Sequence, residues 1–289
     1  MKRFQKTLAL VFSFIFILAC TQLASFAEYY EPDTELEDAP NLLVLGDSIA
    51  EGYGVLNPSQ AAYAKIVADT NGYNYRNFAR MAHDTKDLLY EITSIESIVE
   101  SVQWADIIHI STGSNNYLAS PDVVSIAVGA LFGVNNKQLD AIAEEIYADY
   151  LTIYDRIREL NPNATIIMNT VYCAWNGIGH IPFIKAANRV NEKLQMLQKV
   201  HEDIILFDMD SIITGHSDLI ADDCVHPNAE GNVRIAEAML QLLFEHGLGS
   251  HVEPVVLCEG IDYNYYVLQF GKIGGGIVGF IVKILTLNF

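Results

Sequence analysis

Short apolar runs recur along this chain, each followed by a stretch long enough for a helix, and that rhythm restricts the fold more than any other feature. Leu42-Leu43-Val44-Leu45, Ala105 to Ile110, Thr165 to Asn169 and Ile204 to Phe207 read as strands, with Tyr73 to Phe78 as a fifth. Runs that are apolar without alternation belong to strands covered on both faces. Between them lie helical stretches: Pro58 to Ala68 with proline in its first turn, a helix capped by Asp84 and running through about Thr93, and another at about 182–200. In 136–160, Leu139, Ile142, Ile146, Tyr150, Ile153, Ile157 and Leu160 step by three or four and make one continuous stripe. A final helix follows Pro227 and ends near Gly247. Strand, helix, strand in repetition predicts one α/β domain over 41–247, a three-layer α/β/α sandwich around a mostly parallel sheet.

The ends do not follow this rhythm. Lys2, Arg3 and Lys6 precede an apolar run from Thr7 to Ala19, too short for a comfortable membrane span but suited to a signal peptide over 1–27. Two processing sites compete. Ser25-Phe26-Ala27 places small residues for a cut before Glu28, and Ile17-Leu18-Ala19-Cys20 resembles a bacterial lipobox that would leave Cys20 lipidated. Residues 28–40 are rich in acids and carry two prolines, so they read as an acidic, solvated linker. The tail 248–289 closes on an apolar, glycine-rich stretch for which three readings stand: a strand pair packed on the domain, an interfacial anchor, or a poorly ordered end.

Charge narrows the partners. Seventeen Lys and Arg against 36 Asp and Glu give a net charge of −19, which repels phosphate backbones and speaks against nucleic acid as a ligand. The expectation is a secreted or cell-surface bacterial protein, associated with the membrane only through a lipidated Cys20 or the tail. Either cut leaves Cys173, Cys224 and Cys258 as the non-terminal cysteines; no C-x-x-C spacing points to zinc, and a Cys173–Cys224 disulfide bracing one loop stands beside ordinary burial.

Three segments carry chemistry. Gly46-Asp47-Ser48 follows the first strand, where open α/β sheets bind ligands and where a helical turn would aim the Ser48 N–H at a developing negative charge. A tight turn with an Asx cap is the plainer reading of that tripeptide. Gly113-Ser114-Asn115-Asn116 is a second glycine turn at a strand end, and a carboxamide such as Asn115 donates hydrogen bonds without being consumed. In Asp222-Asp223-Cys224-Val225-His226-Pro227, one turn can hold both Asp223 and His226, the carboxylate orienting the imidazole and the imidazole accepting a serine proton. His109 and His201 read as fold residues; His216 is the rival base.

Together and in this order, the segments resemble the SGNH/GDSL hydrolases, a family of serine esterases and lipases with a flavodoxin-like fold, over about 41–242. The resemblance implies Ser48 as nucleophile, His226 as base and Asp223 as its partner. It also implies an oxyanion hole from Ser48 N–H, the backbone N–H of Ala82 in Asn77 to Thr85, and the Asn115 amide. No metal or organic cofactor is called for. Ala82 stands where the family has glycine; the N–H survives but freedom of φ does not, so the turn is expected to shift. Asn116 replaces the usual aspartate, keeping shape and losing charge.

The implied reaction is hydrolysis of a small-molecule, glycan or lipid ester through an acyl-enzyme. The blocks around Gly52-Tyr53-Gly54 look most like the lipase or lysophospholipase branch, with a carbohydrate O-acetylesterase as the close alternative. Apolar 119–135 is read either as a lip for an acyl chain or as a core helix. A degraded binding protein that keeps the fold to hold a glycan or lipid is the reading from another class.

Overall fold

The structure, a computed structural model, describes residues 35–257 apart from Leu56, Pro121, Asp122, Asn135, Asn176 and Asp222. The expected signal peptide with Cys20, the first part of the linker, and the tail from Cys258 onward lie outside the described residues. Five strands pair in parallel in the order β2-β1-β3-β4-β5: β1 Asn41–Gly46, β2 Asn74–Asn77, β3 Ile107–Ser111, β4 Thr165–Asn169 and β5 Ile204–Phe207. Every pairing is parallel, so all five carboxyl ends open on one edge.

The period-two alternation of each strand divides the core. Leu43, Leu45, Ile108, Ile110, Ile166 and Met168 face one layer. There they meet α4 (Thr85–Ser94), α5 (Glu96–Trp104), α8 (Asn136–Leu160) and α9 (Gly177–Val200). Leu42, Val44, Ile107, Ile167 and Phe207 face the other, against α3 (Tyr63–Asn71), α10 (Met209–Ile213) and α11 (Ala229–Glu245). This is the expected three-layer sandwich. The α8 stripe is buried as the spacing predicts, with Leu139, Ile146, Tyr150, Ile153 and Ile157 in the core. Asp84 caps α4 in a full capping box with Asp87.

Several boundaries depart from expectation. The helix predicted over Pro58 to Ala68 is two: α2 (Pro58–Ala61) and α3, broken where Ala62 turns extended and lets Tyr63 N–H bond to the buried Asn232 side chain. Helix α9 begins at Gly177, five residues before the predicted start, and contains Pro182. So close to the amino end, a missing N–H costs one hydrogen bond rather than the helix. Apolar 123–131 forms helix α7, with Ile126 and Ala130 buried and Val128 exposed. Residues 35–40, expected to be solvated, are tied to β2: Glu35 pairs with Arg76 at 2.7 Å, and Leu36 N–H donates to Asn74.

Candidate active site

Strand β1 ends on Gly46, whose φ of +135° and close approach to the Ser111 carbonyl leave no room for a Cβ. The chain then turns into the short helix α1 (Ser48–Glu51). Asp47 caps it by accepting Ile49 N–H, so the Asx cap read as the plain alternative is present. Ser48 is the first residue of α1, and its N–H has no intrahelical acceptor. Asp47 is fully buried, and burial pushes its carboxyl up to about 6 despite bonds from Ile49 N–H, Ser114 and Ser111.

The loop before α11 brings the other two groups. Asp223 Oδ1 accepts the N–H groups of Val225 and His226 at 2.9 and 3.0 Å, and its Oδ2 lies 2.7 Å from His226 Nδ1. Nε2 of the same ring lies 2.8 Å from Ser48 Oγ. An ionised carboxylate only accepts, so Nδ1 carries the proton and Nε2 is left to accept the serine hydroxyl. Burial alone would raise the Asp223 carboxyl, but the neighbouring His226 and its hydrogen bonds hold it below the usual range. The Tyr53 ring packs against the imidazole at a tilt of 59°, centroids 4.6 Å apart. At Gly54 a Cβ would strike His226 Cβ and the Pro227 carbonyl. Buried Asn232 fixes the helix start, donating to the Pro227 carbonyl while accepting Tyr63 N–H.

The structure thus joins Ser48, His226 and Asp223 in one hydrogen-bonded row. The rival His216 is exposed at the start of the turn Ser217–Leu219. His109 is completely buried beneath the sheet against Tyr63, its pKa lowered by burial to about 3, and His201 stacks on Tyr154.

Ala82 corrects one expectation. Its φ is +67°, so the turn keeps the left-handed conformation that a glycine would adopt, and alanine carries the strain. The neighbours hold it there. His83 Nδ1 lies 3.2 Å from the buried Glu91 carboxylate, and that contact raises the His83 pKa against the opposing effect of burial. The His83 carbonyl accepts Asn115 Nδ2 at 2.9 Å. Asn116 exchanges two bonds with Thr85, donating to its hydroxyl and accepting its N–H, so a neutral amide suits this position. Asn115 is buried at the start of α6 (Asn115–Leu118), with one amide hydrogen on His83 and one for another acceptor.

Cys224 also has positive φ, +63°; it and Ala82 are the two non-glycine residues in that region among those described, and both sit in site loops. Cys173 and Cys224 are not bonded to each other. The Cys173 sulfur instead packs toward the Trp175 carbonyl and His180, and burial raises its thiol to about 11.

Sequence reasoning missed a cleft of about 50 Å³ lined by Asp47 and Ile49, which flank Ser48, by residues at and beyond the carboxyl ends of β3 and β4, and by Val225. The one available signal was positional: Asn169 ends β4 and Thr112 follows the end of β3, on the edge where Ser48 lies. No cluster of ligands for a metal ion occurs among the described residues.

A parallel sheet holds hydroxyl, imidazole and carboxylate in one row at its carboxyl edge, an arrangement in which the imidazole can accept the serine proton. The chain belongs to the GDSL-like lipase/acylhydrolase family, which it matches over residues 44–234, and is an ester hydrolase. Its fold is similar to that of a lipase from a goat rumen metagenome (TM-score 0.56, 18% identity, 73% of this chain and 99% of that one). It is also similar to an extracellular lipase from Streptomyces rimosus (0.53, 16%, 72% and 99%). A third likeness is phospholipase A1 from Streptomyces albidoflavus NA297 (0.51, 16%, 72% and 99%). No curated protein matches the chain.

Proposed function

We propose that this chain is an exported serine ester hydrolase in which His226 removes the Ser48 proton and Ser48 attacks the ester carbonyl. The observation that carries this reading is the row Asp223–His226–Ser48, with both contacts under 3 Å. As the Ser48 Oγ–carbon bond forms, the carbonyl oxygen gains charge, facing the N–H groups of Ser48 and Ala82 and the Asn115 amide. Collapse breaks the bond to the alcohol, which takes the proton back from His226. Water, activated by the same imidazole, then releases the acid. Asp223 keeps Nδ1 protonated and supports the imidazolium that forms in each half.

The amino-terminal basic cluster and apolar run support export, and Ile17-Leu18-Ala19-Cys20 supports a lipidated form. Two substrate classes are open to this machinery. The likeness in fold to a lipase and a phospholipase A1 favours a lipid, either a lysophospholipid or an acylglycerol. The size and lining of the cleft favour the second, a short acyl ester of a carbohydrate or other polyol.

Labelling by a fluorophosphonate and hydrolysis of p-nitrophenyl esters from acetate to palmitate, on residues 28–289 with Ser48→Ala as control, test the reading. Labelling on Ser48 and a dead control are expected. Activity confined to the short esters selects the second class, and rates rising with chain length select the first. A folded protein that takes no label and hydrolyses no ester would be a binder instead. Intact mass of the exported protein tests the processing site: a diacylated Cys20 rules out the soluble form.

A further inference from the structure

Three of the residues that line the cleft between Asp47 and Val225 carry a buried side-chain atom with no hydrogen-bond partner among the described residues: Thr112 Oγ1, Asn169 Oδ1 and Trp175 Nε1. Their residues are 3%, 5% and 9% exposed. Buried polar atoms are nearly always paired, because an orphan forfeits about 1–3 kcal/mol. Three in the lining of one small space, from the end of β4, the residue after β3 and the loop beyond β4, therefore need a common explanation. The neighbouring polar groups are already engaged. Asn169 Nδ2 is directed at Ser111 and at the Thr170 carbonyl, and Asp47 accepts from Ile49 and Ser114.

We propose that this cleft is a recognition subsite for a small, neutral, hydroxyl-bearing part of the ester. The chemistry of the open atoms sets that class. Trp175 Nε1 only donates, Asn169 Oδ1 only accepts, and Thr112 Oγ1 does either, which is the complement of one or two hydroxyl groups. The volume sets the size. About 50 Å³ holds a group of three or four heavy atoms, since a single water needs roughly 10–15 Å³. The charge sets neutrality: Asp47 is the one carboxylic acid in the lining, and no Lys, Arg or His joins it to attract an anion. An unsubstituted alkyl group placed here would leave all three polar atoms unpaired, so the site discriminates by the penalty on the wrong ligand as much as by attraction to the right one.

The inference rests on Ser48 being the nucleophile, and the hydroxyls can belong to either side of the ester. Matched pairs separate the two sources. On the acyl side, phenyl 3-hydroxybutyrate is compared with phenyl butyrate; on the alcohol side, glycerol monoacetate is compared with propyl acetate. We expect the hydroxylated member of one pair to be favoured in kcat/KM by about tenfold or more. The Thr112→Val protein, which lacks one orphan while keeping its shape, and the Trp175→Phe protein, which lacks another in a smaller ring, should lose most of that ratio. Thr112→Val should keep its thermal stability, because no internal hydrogen bond is removed, whereas Trp175→Phe also gives up buried contact with Phe183 and is read through the ratio alone. The ratio is read within each protein, so it does not depend on the amount of active enzyme. A wild type that takes fluorophosphonate on Ser48 but shows no preference in either pair overturns the subsite, leaves the hydrolase standing, and assigns the cleft to water. A preference that survives both variants also overturns it. Folded protein that neither labels nor hydrolyses any ester overturns the hydrolase reading and this one together.

Discussion

The two sides of Ser48 are built on opposite principles. On one side, Asp223, His226 and the serine hydroxyl satisfy one another, and the loop carrying them is pinned through Asn232, Gly54 and the Tyr53 ring. On the other, Thr112, Asn169 and Trp175 hold polar atoms in a buried space with nothing to receive them. The difference teaches where each kind of specificity resides. Groups that move protons must be in place before substrate arrives, because reorganising them during the reaction would cost rate. Groups that recognise substrate gain most by being left open, because an unpaired site penalises every ligand that cannot complete it.

The sharpest way to break the prewired side is Asp223→Asn. The amide still accepts the Val225 and His226 N–H groups through its oxygen, so the loop keeps its shape. Its NH2 would then face Nδ1, forcing the imidazole into the tautomer that donates toward Ser48 instead of accepting from it. We expect kcat to fall by about 10⁴ with Tm little changed, measured on any ester the wild type hydrolyses. A fall of tenfold or less would mean that the carboxylate holds the loop and not the proton.

Asn115→Ala strikes the boundary between the two sides. It removes the proposed oxyanion donor and the bond to the His83 carbonyl. The expected loss is about 10²–10³ in kcat with KM nearly constant, since the donor acts on charge that exists only in the transition state. A rise in KM alone would transfer Asn115 to the recognising side.

Asp47 borders both sides, and its cost is visible in stability. Its carboxyl is raised from 3.8 to about 6 by burial, so between those values the folded state holds the proton more tightly than the unfolded chain. Stability contributed by the protonated group is therefore full below about pH 4 and lost as pH rises through about 6, an effect of about 3 kcal/mol. Asp47→Asn has no charge to bury. We expect its Tm to exceed that of the wild type by several degrees at pH 8 and to match it near pH 4, by calorimetry at both pH values. An advantage of equal size at both would show that hydration of the carboxylate is not the cause.

What could be read from the amino-acid sequence was whatever is local. Asp-x-x-His needs one turn, and a serine after an apolar strand needs one strand end, so Ser48, Asp223 and His226 were legible. So were the five strands and the α8 stripe, because periodicity is a property of neighbouring residues. Contacts between distant segments were not. The break at Ala62 depends on Asn232, 170 positions away in the chain, and the direction of the Cys173 side chain depends on His180 and Trp175 rather than on Cys224. Helix α5 has only Ile98, Ser101 and Val102 buried, too sparse a stripe to stand out. The open atoms of the cleft were invisible because being unpaired is a fact about everything around them.

Ala82 gives the smallest effect and the finest distinction. The sequence alone suggested that an alanine there would shift the turn; instead the backbone keeps φ at +67°. Left-handed alanine costs roughly 1–2 kcal/mol, and glycine removes that strain while adding up to about 1 kcal/mol of unfolded-state entropy. Ala82→Gly should therefore stabilise by about 1 kcal/mol or less, a rise in Tm of a few degrees at most. The two accounts of the strain separate on kcat. If His83, Glu91 and Asn115 hold the turn, the N–H stays where it is and kcat is unchanged. If the alanine Cβ itself braces the turn, the glycine protein gains no stability and loses rate, because the donor is no longer fixed before the charge develops.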